Sequence, residues 1–335
     1  MIRAARKGVH RAKGWLHRRM RRPREPHGLV LLYHRIAKSN VDPWCLCVSP
    51  EHFDSQLRAL RRHCDLVPLT GLHDQLRQGR DSRPAVAITF DDGYRDNLTV
   101  AKPMLERHEA PATVFVITGF VGRDAGFWWE RLTHTTLAAA VLPTRIALTA
   151  GTAQFAWRDD ALADTGSAGA IARRRLHDGL WNWFIDLAEA DRCDALEALE
   201  RWSGTPTSAE VSNRPMSAED IRELAVGGLI DIGAHTVTHP RLSHLPSPVK
   251  RSEISRGRED CQRLLGRAPA CFSYPNGDYD DESAALVREC GFALACTSRQ
   301  DLVWASGDRA TMPRISVRDE PGESLMRRLQ REWFA

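Results

Sequence analysis

No stretch of the sequence approaches the roughly 18 consecutive apolar residues of a spanning helix. Nor does an uninterrupted apolar run of the length a signal peptide needs follow the N-terminal positive charges. Neither a membrane-spanning helix nor a secretory signal is therefore expected, and the expected location is the cytoplasm. Eight cysteines, at 45, 47, 64, 193, 261, 271, 290 and 296, include no CxxC pair and fall far short of a disulfide scaffold. They read as reduced and mostly packed, and Cys45-x-Cys47, with one residue between and no second pair, is a poor metal site. No segment repeats at a fixed period, which excludes a solenoid. Basic charge is also missing from most of the chain: residues 1–25 hold ten Lys/Arg and one acid, so of the formal +4 they carry +9 and the remainder about −5. The body is therefore not a nucleic-acid binder.

What is present describes an ordinary globular chain: 335 residues, 42% hydrophobic and 27% charged, enough for a large core. In the basic tail Ile2, Ala5, Val9, Ala12, Leu16 and Met20 form an apolar stripe at helical period among arginines. That pattern suits peripheral contact with an anionic membrane on the inner face, although Gly8 and Gly14 weaken the helix and a solvated leader is the alternative. From residue 26 onward short apolar runs alternate with amphipathic helical patterns. Strands are expected at 28–33, 85–90, 112–117, 230–234, 270–274 and 293–297. Helices are expected near 50–63, 97–108, 217–226, 248–265 and 281–290, with a capping box at Ser217 and Asp220 and a C-terminal cap at Gly291. This alternation argues for a parallel α/β sheet or barrel. It lapses at about 123–213, a stretch rich in Ala, Arg, Asp and Trp that reads as a mostly helical insertion interrupting the 26–335 domain.

Three groups of residues can carry chemistry. Asp91 and Asp92 in "TFDDG" follow the 85–90 strand, at the end that faces the active site in parallel α/β architectures. Taken alone they read first as a solvated acidic turn. His235 and His239 in "HTVTH" follow the 230–234 strand, four apart, and on a helical turn would project from one side and share a cation. Two histidines and one carboxylate form a common catalytic metal set with open positions for water and substrate. The second carboxylate is then free to act as a base toward water that the cation has made acidic. His34 in "LLYHRI" also lies at a strand end, and histidine is the side chain whose charge changes near neutrality, although a hydrogen-bonded loop histidine is the plainer reading. His63, His73, His108 and His177 look like surface residues.

"TFDDG" (Thr89–Gly93), "HTVTH" (His235–His239) and "FSYPNG" (Phe272–Gly277), in that order, resemble the polysaccharide deacetylases, the NodB-homology or carbohydrate esterase 4 family. The resemblance covers about residues 28–317 apart from the insertion. It implies a distorted (β/α) barrel with fewer than eight strands, Asp91 as general base, and Asp92, His235 and His239 as ligands of a divalent metal, zinc first, with Co2+, Mn2+ or Ni2+ as substitutes. It also implies an oxyanion site from the backbone near Tyr274 and Pro275, together with the metal. The reaction implied is hydrolysis of an N-acetyl group on an amino sugar carried by a polymer, an oligomer or a lipid-linked precursor.

Two departures from the family pattern shape the remaining assignments. The third motif carries Ser273 where an arginine that orients the base is usual, and Arg314 in "MPRISV" is the candidate substitute. No histidine follows His244, whereas "LLYHRI" resembles the subgroup that deacetylates poly-N-acetylglucosamine and has this motif permuted to the N-terminus, which makes His34 the candidate general acid. Tyr94, Trp128, Trp129 and Tyr274 are candidates for stacking on sugar rings. Two other functions fit the same residues: a glycan-binding relative without chemistry, and a 2-His-1-carboxylate iron oxygenase, which would leave Asp91 unused.

Overall fold

The structure is a computed structural model and describes residues 25–78, 83–204 and 213–334. The basic tail expected to contact membrane lies outside the described residues. The chain divides into two compact units, one ending at Lys38 and resuming over Cys45–Val121 and from Met216 onward, the other made of Ser39–Trp44 and Gly122–Pro215.

The first unit is built on six parallel strands in the order Leu294–Cys296, Cys271–Ser273, Ile230–Ala234, Ala112–Val116, Ala85–Phe90 and His27–Tyr33. A seventh segment closes the ring. Met312 bridges Cys296 on one side, and three residues later Ile315 pairs in parallel with Leu31 on the other. The result is the distorted (β/α) barrel expected; these seven segments form its wall, and two further two-residue strands, Asp65–Leu66 and Val303–Trp304, pair with Ala85–Phe90 and His27–Tyr33 and bring the sheet to nine. All six expected strands form, with ends within one residue of the expectation. Their apolar β-branched and aromatic content suits strands buried on both faces.

Strand alternation sorts side chains between two faces. Leu29, Leu31, Tyr33, Val86, Ile88, Phe90, Val114, Val116 and Ile232 pack outward under helices such as Pro50–His63 and Ser247–Leu265. Val30, Ala87, Phe115, Cys271, Cys296 and Met312 point the other way and fill the barrel interior. Gly233 belongs to that inner set, because a Cβ there would sit 2.4 Å from the Phe115 ring. Thr89, Asp91, His235, Ser273 and Arg314 share the inward parity and form the layer above.

The helices follow the sequence closely. Pro50–His63 runs as expected, and Ala218–Ala225 carries the reciprocal Ser217/Asp220 capping box. Gly291, with φ +82°, ends the Asp281–Glu289 helix. One helix departs from the expectation: residues 97–101 form a π-helical turn before Lys102–Arg107, with Pro103 at the start of the α-helix proper.

The second unit is mostly helical, as expected, with one hairpin added. Helices Ser167–Phe184 and Glu189–Ser203 are present, but Arg145–Ala150 and Ala153–Arg158 form an antiparallel hairpin turning at Gly151. Its alanines and arginines favour helix by propensity, yet burial alternates strictly along 145–150, and that pattern decided the outcome. His177 and His73 are buried, not surface residues. His177 lies against Thr133 Oγ1, and burial lowers its pKa to about 4.

Candidate active site

At the C-terminal rim of the barrel the ladder continues past the strand ends, which fixes the reactive residues by backbone hydrogen bonds. Asp91 N–H donates to the Tyr33 carbonyl at 3.0 Å, His235 N–H to Val116 at 2.9 Å and Arg314 N–H to Arg299 at 2.9 Å. Asp92 then turns away with φ 73°, followed by Gly93 at φ 78°. This left-handed step sends the two adjacent carboxylates in different directions. A Cβ on Gly93 would also press Val116 Cγ1 at 3.0 Å.

Asp92 faces the histidines. Its Oδ1 lies 3.5 Å from Nε2 of both His235 and His239, and one donor atom from each of the three lies within 4.8 Å of the others. His235 Nδ1 is 2.7 Å from the Ser273 carbonyl, so Nδ1 carries the proton and Nε2 offers its lone pair to the cluster. A tetrahedral ion with bonds of about 2.1 Å spaces its donors about 3.4 Å apart. The residues therefore fit a divalent metal of zinc's size and donor preference. Burial would raise Asp92 and lower His235, but the neighbouring charges more than offset it: His235, His239 and His34 hold Asp92 below the usual carboxylate range, and Asp91 with Asp92 holds His235 above the usual imidazole range.

The histidines do not sit on the helical turn that their spacing predicts. His235 follows the Ile230–Ala234 strand, and residues 236–239 form an irregular reversal with Thr236 at φ 64° and His239 at φ 60°. Left-handed backbone in a β-branched residue costs about 1–3 kcal/mol and collects at functional sites. The four-residue spacing still brings the ligands together, through the turn.

Asp91 faces Arg314. The guanidinium donates from Nη1 to Oδ1 and from Nη2 to Oδ2, both at 2.7 Å. Its other donors reach Thr89 Oγ1 at 3.3 Å, Ser273 Oγ at 2.9 Å and the Thr297 carbonyl at 2.9 Å. All five N–H groups of the fork are thus engaged, and Arg314 is 0% exposed. Phe115 lies beneath it, 5.7 Å from the guanidinium carbon. Burial would raise Asp91, but the Arg314 charge, with His235 and His34, more than offsets it and holds the carboxyl well below its ordinary range. Ser273 makes room for this arrangement and adds a bond of its own to Asp91 Oδ2 at 3.3 Å.

His34 follows the His27–Tyr33 strand and is half-buried, near enough for its charge to lower both Asp91 and Asp92. Its loop is fixed by groups the sequence did not advertise. Asn97 Nδ2 donates to the His34 carbonyl at 2.9 Å, and the buried Arg35–Asp96 pair ties the next residue at 3.0 Å. Asp96 also accepts the Ile36 N–H.

Several aromatic and oxyanion assignments are overturned. Tyr94 and Tyr274 are fully buried and Trp128 and Trp129 nearly so, hence all four are packing residues and none can stack on a sugar. Tyr94 lies under the Arg35 guanidinium, and the Tyr274 hydroxyl donates to the Ala310 carbonyl. Tyr274 N–H is committed to the Cys296 carbonyl at 3.0 Å, and Pro275 has no N–H to give. Asn276, exposed and left-handed at φ 56°, carries the next backbone N–H in that turn.

Comparison with known proteins agrees with this geometry. The polysaccharide deacetylase family model matches residues 78–140 and 197–295. YxkH of Bacillus subtilis (strain 168), whose name assigns it to the polysaccharide deacetylases, is 33% identical over 298 residues, covering 88% of this chain and 72% of that protein. A poly-β-1,6-N-acetyl-D-glucosamine N-deacetylase of Staphylococcus aureus is 30% identical over 114 residues, 30% of this chain and 39% of the relative. Among solved structures, the deacetylase PplD of Streptococcus pyogenes aligns with TM-score 0.57 at 18% identity over 90% of this chain and 98% of that one. IcaB of Ammonifex degensii gives TM-score 0.57 at 20% identity, with 90% and 95% covered. The chain belongs to the polysaccharide deacetylase family, whose members are hydrolases of carbohydrate carbon–nitrogen bonds.

Proposed function

We propose that this chain hydrolyses the N-acetyl group of an amino-sugar glycan, with Asp91 as base, His34 as acid and Asp92, His235 and His239 as metal ligands. The observation that carries the reading is the pair of adjacent carboxylates with separate duties. Asp92 closes a two-histidine cluster, while Asp91, held by Arg314, stands 4.0 Å from His235 Nε2. An oxygenase has no use for an ionised carboxylate in that place, and a binding protein has no use for either.

A zinc ion in this set would polarise the acetamide carbonyl and acidify the attacking water. The chain's residues do the rest. Asp91 takes a proton from water as the new C–O bond forms, and the Asn276 N–H donates to the carbonyl oxygen as charge develops there. His34 gives a proton to the nitrogen as the C–N bond breaks, so that acetate and a free amine leave. The substrate is an N-acetylglucosamine polymer or its lipid-linked precursor, met on the cytoplasmic side with the basic tail on an anionic membrane.

Acetate release from β-1,6-linked N-acetylglucosamine oligomers is expected from the Zn2+- or Co2+-loaded chain, lost on chelation and regained on adding the ion back. A metal-loaded chain that releases no acetate from polymeric, oligomeric or lipid-linked N-acetyl sugars would sink the proposal. His34→Ala is expected to keep its metal and lose about a hundredfold in turnover, in line with a missing acid. Undiminished turnover would remove His34 from the mechanism.

A further inference from the structure

The turn between the metal histidines is held from outside by a residue that touches neither metal nor substrate. Glu253 projects from the Ser247–Leu265 helix, and its Oε2 accepts the N–H groups of Val237 and Thr238, both at 2.9 Å. Its Oε1 accepts the Thr238 hydroxyl at 2.9 Å. One carboxylate thus takes three donors from two consecutive residues of a three-residue connection. Hydrogen bonds to a charged acceptor are about twice as strong as neutral ones, so the grip is firm.

The opposite side of the turn is fixed as well. Thr118 N–H donates to the Thr236 carbonyl at 3.1 Å and Gly119 N–H to Val237 at 2.9 Å. A Cβ on Gly119 would meet that Val237 oxygen at 2.4 Å. The same helix approaches closely enough at Gly257 that a Cβ there would lie 3.2 Å from Thr236. His239 N–H in turn donates to Thr236 Oγ1 at 3.1 Å. His235 Nδ1 is fixed by the Ser273 carbonyl, and His239 stands at the far end of the turn.

We infer that Glu253 is a positioning residue of the metal site: its carboxylate holds the strained 236–239 turn so that His239 Nε2 stays beside Asp92. This rests on the metal-site reading above. Groups that orient metal ligands from outside typically change affinity 10–100-fold when removed. Here the effect acts through backbone geometry, so an acceptor of the same shape should serve. Glutamine keeps one oxygen for the two N–H groups and can donate its amide to Thr238 Oγ1, whose hydroxyl accepts.

The test uses the full chain and Co2+ alone as probe, with affinity from chelator competition and ligand geometry from the visible absorption of the bound ion. Glu253→Ala should weaken Co2+ binding about 10–100-fold, with melting of the metal-free protein little changed and kcat largely recovered at saturating metal. Glu253→Gln should restore affinity to near the wild-type value. Thr238→Val, which removes one of the three bonds, should give a smaller loss in the same direction and serves if Glu253→Ala does not fold. Wild-type affinity in both Glu253→Ala and Thr238→Val overturns the inference, as does Glu253→Gln binding no better than Glu253→Ala. A wild-type chain that binds no Co2+ overturns the metal-site reading and this inference together, whereas binding unchanged by the Glu253 substitutions overturns this inference alone.

Discussion

Asp91→Asn is expected to lower turnover about 10²–10⁴-fold while metal affinity stays within about tenfold of wild type. Asp92→Asn is expected to do the reverse first, weakening metal binding more than about a hundredfold, with turnover lost as a consequence. The two carboxylates are adjacent and equally buried, so composition and exposure cannot separate them; their partners can. Asp91 is saturated by a guanidinium fork, and Asp92 meets two imidazole nitrogens at 3.5 Å. Metal titration and acetate release on the same preparations check both, and a variant pattern opposite to this one would exchange the two roles. Asp91→Asn also strands the Arg314 charge, and breaking a buried pair costs about 3–5 kcal/mol. Thermal unfolding of each variant is therefore part of the measurement.

How much of this was legible in the sequence depends on which physical rule each feature obeys. The barrel was legible because strands buried on both faces need long apolar runs, and the runs at 85–90 and 230–234 fall where the strands fall. Asp91, His235 and Arg314 were legible for a related reason: each continues or precedes such a run, and period-2 parity then decides that its side chain points inward. The aromatics were misjudged because proximity to a motif says nothing about parity or depth. Tyr94 and Tyr274 each follow a motif residue and each points into packing. Glu253, Asp96 and Asn97 were invisible because their partners are backbone atoms and side chains 15 to 63 residues away, brought near only by the fold. The hairpin at 145–158 was hidden by helix-favouring alanines and arginines. Asn276 could have been found by elimination, since proline has no N–H and a residue ending a strand usually spends its own.

Arg314→Ala is expected to cost about a hundredfold or more in turnover, because a base displaced by even about 1 Å loses that much. It should also move the acid limb of the pH–rate profile to higher pH. The sign follows from the causes acting on Asp91. Burial raises its pKa, and Arg314 is the first of the charges that bring it below the ordinary value. Removing Arg314 leaves burial less opposed, so the carboxyl binds its proton at a higher pH and less of it is ionised in weak acid. Stability moves with the same proton: a carboxyl depressed in the folded state contributes above its unfolded pKa of about 3.9 and loses that contribution as pH falls through the folded value. The wild type should therefore resist mild acid, and Arg314→Ala should melt earlier at neutral pH, where the unpaired carboxylate is most costly. Arg314→Lys supplies charge without the fork that reaches both carboxylate oxygens, Thr89, Ser273 and the Thr297 carbonyl, so it should recover only part of the loss. The sharper control is Ser273→Arg combined with Arg314→Ala, which moves the guanidinium to another inward position whose side chain already reaches Asp91 Oδ2. Partial recovery of turnover and of the acid limb would show that Asp91 needs a fork of positive charge and not one particular strand to supply it. An acid limb unmoved in Arg314→Ala would mean that Asp91 is not the ionisation on which the rate depends.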